Sequence, residues 1–312
     1  MSGIREVFDN VEDQTLSSET LAQAAKISDE FKKKGEWLSV SPDGLHASIK
    51  FANKVYYDGD ESDLLVAESE NFVLDATKGK RGIVILRSNN VITNTGEESD
   101  RLKVHDSKNV IINSRGGNDG IGINSSKNVL VNSGEGDERI ASLRSSGLTI
   151  KSGNGSDVIS VDNSNNINID GGDGNDSMRI TSSDNVSING GDGNDVIEVE
   201  YSKNVIIDDG DGNDKIMASG IISGGTGDDY IKLSRSLFLR DENIQDVIKY
   251  SKGDGHDIVE GVTDDTIIEL NGISEDEYDI TESRNENGAK VKTLTMKDGS
   301  GSIKMTYNGS KY

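Results

Sequence analysis

One acidic position recurs through the middle of the chain at a fixed interval. Asp100, Asp119, Glu138, Asp157, Asp176, Asp195 and Asp214 are successive steps of 19 residues (119 − 100 = 195 − 176 = 19), with the charge kept at Glu138. A constant interval of this kind means stacked copies of one supersecondary unit, each covering its neighbour. Other positions hold the same phase. Ten residues before each acid stand Asn90, Asn109, Asn128, Gly147, Asn166, Asn185 and Asn204, followed directly by Val91, Val110, Val129, Leu148, Ile167, Val186 and Val205. A second column is Thr93, Ile112, Val131, Ile150, Ile169, Ile188 and Ile207. Beyond the acid come Leu102, Ile121, Ile140, Ile159, Met178, Ile197 and Ile216, then Val104, Ile123, Ser142, Val161, Ile180, Val199 and Ala218.

Each unit thus carries two apolar-x-apolar segments separated by polar turns. Alternation with period two puts the apolar residues on one face of a strand. A strand of three or four residues is unstable alone but stacks on its counterpart one coil later, roughly 4.8 Å away. Two such sheets face to face enclose a thin aliphatic core. Helical repeats are disfavoured because glycine interrupts nearly every unit. The expected fold is all-β: a right-handed parallel β-solenoid of 19-residue coils over residues 60–270. Asn71, Phe72, Leu74, Ile83 and Ile85 extend it backward. Forward, Gly224-Gly225-Thr226-Gly227-Asp228-Asp229 arrives four residues early, and Gly253-Asp254-Gly255-His256-Asp257 is a last copy. Residues 1–59 read as an N-terminal cap with one amphipathic helix, Ser18 to Lys34, between an N-cap serine and Gly35. Residues 271–312 read as a C-terminal β cap or export signal.

Charge narrows the function. Lys plus Arg number 33 and Asp plus Glu 56, a net −23, which repels nucleic acid and anionic lipid and suits divalent cations. Cysteine is absent, excluding disulfides, thiolate-zinc sites and thiol catalysis. No signal peptide is visible in Met1 to Gln14, and no window approaches the ~18 apolar residues of a membrane span.

The chemistry lies in the turns. Gly172, Asp173, Asn175 and Asp176 are repeated as Gly191, Asp192, Asn194 and Asp195, and again as Gly210, Asp211, Asn213 and Asp214. Asp228 and Asp229, then Asp254 and Asp257, continue the series. Glycine lets the backbone aim carbonyls at one point, and Asp and Asn add hard oxygens, the donors that Ca²⁺ prefers in a shell of about 6–8. Carboxylates one strand spacing apart cannot all stay charged without cations between them. The expected cofactor is Ca²⁺, several ions in one column.

The phrases Gly-Gly-Asp-Gly-Asn-Asp-Ser-Met and Gly-Gly-Asp-Gly-Asn-Asp-Val-Ile resemble the calcium-binding nonapeptide of the repeats-in-toxin (RTX) family. Tyr250 to Asp257, Asp265 to Leu270 and Leu294 to Ser300 resemble the region that commonly follows such repeats. The resemblance covers about two thirds of the chain. It implies a bacterial, secreted protein exported by a type I route through an uncleaved C-terminal signal and folded by calcium outside the cell. The second turn of each coil, Ser-Lys-Asn-Val or Ser-Asp-Asn-Val, departs from the family's double array, so one ion column is expected, with an asparagine ladder on the opposite edge. Glu97 to Asp100 and Glu135 to Glu138 depart further and are expected to bind weakly.

Three functions fit. The first is a non-enzymatic calcium-folded protein used as scaffold, in adhesion or matrix, or in delivery, with a polysaccharide or another cell-surface protein as partner. The second is a calcium-dependent polysaccharide lyase or epimerase, for which Arg179 and Glu198 are neighbours on an outer face but read as a salt bridge. The third is a host-directed effector whose N-terminal region binds a partner. Asp209-x-Asp211-x-Asn213 begins like an EF-hand, but Asp214 replaces the required glycine and Gly220 the glutamate. The histidines His46, His105 and His256 are scattered, and His256 reads as a turn residue.

Overall fold

The structure, a computed structural model, describes residues 37–40, 47–50, 54–56, 62–67, 69–77, 81–234 and 245–308. Every regular element among them is a β-strand, and none is a helix able to cross a membrane. Apart from an antiparallel pair, Trp37–Val40 with Ala47–Lys50, the strands form two long sheets in which successive coils stack in parallel. One sheet holds 14 strands, beginning at Ser62–Ala67, and the other holds 12, beginning at Lys54–Tyr56. Each coil gives one strand to each sheet. The chain is a β-solenoid of parallel coils, as its period requires.

Register follows the period. In the 14-stranded sheet Met178 pairs with Ile159 and Ile197; in the 12-stranded sheet Ile169 pairs with Ile150 and Ile188. Within Ser177–Thr181, Met178 and Ile180 are buried while Ser177 and Arg179 face water. All four apolar columns are buried, Thr93 and Ser142 included. Each fully buried aliphatic side chain contributes about 1.5–3 kcal/mol, so the core is a long sum of small, equal terms.

The edge opposite the acidic turn is made by two polar columns. Asn71, Asn90, Asn109, Asn128, Asn166, Asn185 and Asn204 all have φ between 53° and 55°, a left-handed conformation that asparagine tolerates better than most residues. Their amides form the expected ladder: Asn90 Nδ2 donates to Asn71 Oδ1 at 2.8 Å, Asn109 to Asn90 at 2.9 Å and Asn204 to Asn185 at 2.8 Å. Gly147 interrupts it, since a Cβ there would lie 2.7 Å from Asn128 Oδ1. Beside it runs a buried serine column that periodicity of apolar residues does not reveal. Ser107 Oγ donates to the His105 carbonyl at 2.8 Å and accepts the Ser88 N–H at 3.0 Å, and Ser126, Ser145, Ser164 and Ser183 repeat the pattern. The buried turn backbone is thereby satisfied.

Three features differ from the expected outline. Strands of the 12-stranded sheet reach nine residues, as in Asn165–Asp173, because the extended backbone runs on through the glycine pair into the acidic turn. The stack begins ahead of residue 60, where Lys54–Tyr56 pairs in parallel with Glu70–Asp75. The short coil before Asp229 loses its four residues at the serine–asparagine edge, so acidic register holds: Asp214 N–H still reaches Asp229 Oδ1 at 2.9 Å. Tyr278–Arg284, Lys290–Met296 and Gly301–Tyr307 form antiparallel strands that close the 14-stranded sheet as a C-terminal β cap. The helix read at Ser18 to Lys34 lies outside the described residues.

Candidate metal centre

Two glycines shape each acidic turn. Gly172 and Gly174 have φ of 99° and 136°, and a Cβ on them would lie 2.0 Å from the Gly153 carbonyl oxygen and 1.8 Å from that of Gly155. Backbone passes directly over backbone, which no side chain permits. The same contacts recur at Gly191 and Gly210.

The turn residues then separate into two columns. Asp173, Asp192 and Asp211 are exposed, as are Asn175, Asn194, Asn213 and Asp228. Asn175 Oδ1 accepts the Asn194 N–H at 2.7 Å, Asn194 Oδ1 that of Asn213 at 2.8 Å, and Asn213 Oδ1 that of Asp228 at 2.7 Å. Asp228 Oδ1 accepts the N–H of His256, an exposed turn residue. This outer column is a ladder along the solenoid axis. Thr226 Oγ1 donates to Asp211 Oδ1 at 2.7 Å, and Asp254 bends inward to accept the Ser251 N–H at 2.6 Å.

The last acid of each turn faces inward. Asp176, Asp195, Asp214, Asp229 and Asp257 are at most 4 % exposed. In each, Oδ1 accepts the N–H of the acid one coil earlier: Asp157 to Asp176 at 2.8 Å, Asp176 to Asp195 at 2.7 Å, Asp195 to Asp214 at 2.8 Å and Asp229 to Asp257 at 3.2 Å. Asp119 and Asp157 are held likewise by Asp100 and Glu138. Glu138, one methylene longer, leaves both carboxylate oxygens without a hydrogen bond. The second oxygen, Oδ2, of Asp119, Asp157, Asp176, Asp195, Asp214 and Asp229 is buried and has no partner.

Space for that oxygen is made by the first glycine of each pair. A Cβ on Gly171 would lie 2.5 Å from Asp176 Oδ2, on Gly190 2.6 Å from Asp195 Oδ2, and on Gly224 2.0 Å from Asp229 Oδ2. Ser133 and Ser152 hold that position in earlier coils, and in one coil it carries a charge. Asp209 stands in register with Gly190 and Gly224; it is fully buried and neither of its oxygens has a hydrogen bond. One carboxylate oxygen each from Asp195, Asp209 and Asp214 lie within 4.8 Å of one another. At an effective dielectric of ~20, two full charges at that separation repel by about 3 kcal/mol.

Burial and this crowding raise the inner acids. Loss of hydration dominates throughout. It lifts Asp119 and Asp214 to about 6, Asp176 and Asp229 to about 7 and Asp257 to about 8. Asp209 rises to about 9, through burial first and then the charges of Asp214 and Asp195. Glu138 and Asp157 are raised by the same burial.

Such groups are stable in two ways: protonated, or bridged by a cation. The donors are hard oxygens only, close-packed beside backbone carbonyls, a set that could hold a hard cation rather than a soft metal. Of the residues expected to bind, the structure gathers Asp176, Asp195, Asp214 and Asp229 into one interior column and sets Asp173, Asp192, Asp211 and the asparagines outside it. Asp209 entered the sequence reading only as an EF-hand false start; its signal was Asp208-Asp209-Gly210 standing where Asn189-Gly190-Gly191 stands one coil earlier. On the outer face Arg179 does pair with Glu198, and its other guanidinium nitrogen lies 3.4 Å from Glu200, an exposed ion cluster. No family model matches this chain, and comparison with curated proteins finds no match.

Proposed function

We propose that this chain is a calcium-binding, non-enzymatic solenoid of the RTX kind, secreted from a bacterium and folded by calcium outside the cell. The observation that carries the reading is the interior column of carboxylates, in which Asp176, Asp195 and Asp214 each have one oxygen hydrogen-bonded and the other buried without a partner. At neutral pH such a column opposes folding unless cations occupy it. Binding energy then becomes folding energy. Scaffold, adhesion or matrix roles suit a long stack of coils whose outer-face Arg179, Glu198 and Glu200 are engaged with one another.

The test is far-UV circular dichroism of chelated protein at pH 8, titrated with calcium and, separately, with magnesium. A cooperative coil-to-β transition at millimolar calcium that magnesium does not reproduce is expected. A chelated protein already β-rich at that pH and unmoved by calcium would end the proposal. Within the same assay Asp195→Ala should raise the calcium midpoint several-fold more than Asp100→Ala, because Asp195 lies between Asp176 and Asp214 and beside Asp209. Equal midpoints would show that the early, glutamate-rich turns bind as well as the regular ones.

A further inference from the structure

We propose that Asp195, Asp209 and Asp214 form a separate three-carboxylate cation site, tighter than any regular turn and the first to load. The inference rests on the calcium reading above and goes beyond it, because it concerns a residue outside the repeat.

In neighbouring coils the position of Asp209 is Ser133, Ser152, Gly171, Gly190 or Gly224. None of these brings a charge. A regular turn therefore offers a bridging ion the unpartnered oxygens of the acidic column and the nearby backbone. Asp209 adds a third carboxylate from the strand of the other sheet, crossing the edge of the solenoid. The added side chain is not a surface accident: it is fully buried and both of its oxygens lack hydrogen-bond partners.

Its setting admits it at the expense of its neighbours' freedom. A Cβ on Gly190 would lie 2.0 Å from Asp209 Oδ1 and 2.6 Å from Asp195 Oδ2. Gly190 thus leaves open the volume into which both oxygens point. Three oxygens within 4.8 Å of one another can all approach one ion of calcium's size, whose oxygen distances are about 2.3–2.6 Å. Magnesium demands shorter, near-octahedral contacts and dehydrates reluctantly, so the same packing disfavours it. Three negative charges around one ion favour calcium strongly and a trivalent lanthanide more strongly still.

Equilibrium dialysis of the full chain against calcium, in excess magnesium at pH 7.5, tests the assignment. The wild type should bind one ion at least tenfold more tightly than the remainder. Asp209→Asn keeps the shape and removes the charge; Asp209→Gly restores the residue of the adjoining coils. Both should lose the tight ion and bind one fewer at low calcium, while the weaker class and the calcium-saturated circular dichroism spectrum stay unchanged. A tight ion that survives in either variant, or a wild type with a single class of sites, overturns the three-carboxylate site and leaves the calcium solenoid standing. A wild type that binds no calcium removes both.

Discussion

In chelator at pH 5 the solenoid forms without calcium, and it is lost as the pH is raised to 8. The sign follows from the direction in which the inner acids are shifted. An unfolded aspartate titrates near 3.9, whereas in the fold Asp214 titrates at about 6, Asp176 and Asp229 at about 7, Asp257 at about 8 and Asp209 at about 9. Below about pH 4 both states hold their protons and folding carries no penalty. Above it the unfolded chain releases protons that the folded chain keeps, so stability falls as pH rises through the window between the two values. Asp176 and Asp229 alone account for roughly 2–3 kcal/mol each between pH 5 and their folded values. Domain stabilities are about 5–15 kcal/mol, so a few such groups decide whether the metal-free chain folds.

Calcium should have the opposite dependence. At pH 5 an ion must displace protons and binds weakly; at pH 8 it meets carboxylates that need a counter-charge. The measurement is a pair of circular dichroism series from pH 5 to 8, one in chelator and one in millimolar calcium, at low protein concentration because the sequence pI is about 4.5. The two series should diverge with rising pH. A chelated β signal that is flat, or that grows with pH, would mean that the inner acids are solvated in the folded protein, and the cation argument would lose its physical basis.

The solenoid is legible in the sequence because its cause is periodic. Val186, Ile188, Ile197 and Val199 are where one coil's core must be, and 19-residue spacing forces the same of every other coil. The division of the acids was also written there, though less plainly. Asp176, Met178 and Ile180 alternate, so the acid shares the inward face of the strand that follows it. Asp173 ends the strand before it and faces water. Composition and motif treat the two aspartates alike; only the phase separates them. Ser164, Ser183 and Ser202 were hidden for a related reason. A search for buried apolar residues passes over a polar side chain that is buried because it closes a backbone hydrogen-bond account. Asp209 is the reverse case, a departure from the repeat whose meaning depends on the two glycines flanking it in space and not in sequence.

Gly193→Ala should abolish the stable fold, where Gly288→Ala lowers its stability only modestly. Both glycines have positive φ, 142° and 77°, so both substitutions carry the left-handed penalty of roughly 1–2 kcal/mol. They differ in what a methyl group meets. Around Gly288 nothing lies within 4 Å; at Gly193 the new carbon would sit 1.7 Å from the Gly174 carbonyl oxygen and 2.5 Å from its carbon. Relief requires the two coils to part at the acidic turn. That separation strains the hydrogen bond from Asp176 N–H to Asp195 Oδ1 and the one from Gly174 N–H to the Asp192 carbonyl. The expected cost is above about 4 kcal/mol, the range reserved for overpacking and broken buried networks. Urea unfolding in saturating calcium checks it, with Gly288→Ala lowered only by the left-handed penalty and Gly193→Ala unfolded or far less stable. Since each coil touches only its neighbours, the break divides the stack in two rather than loosening it everywhere. Added calcium stabilises a folded site only by mass action, and it cannot rejoin coils that a methyl group holds apart. Equal midpoints for the two variants would mean that successive turns do not lie backbone on backbone, and an ion column between them would lose its scaffold.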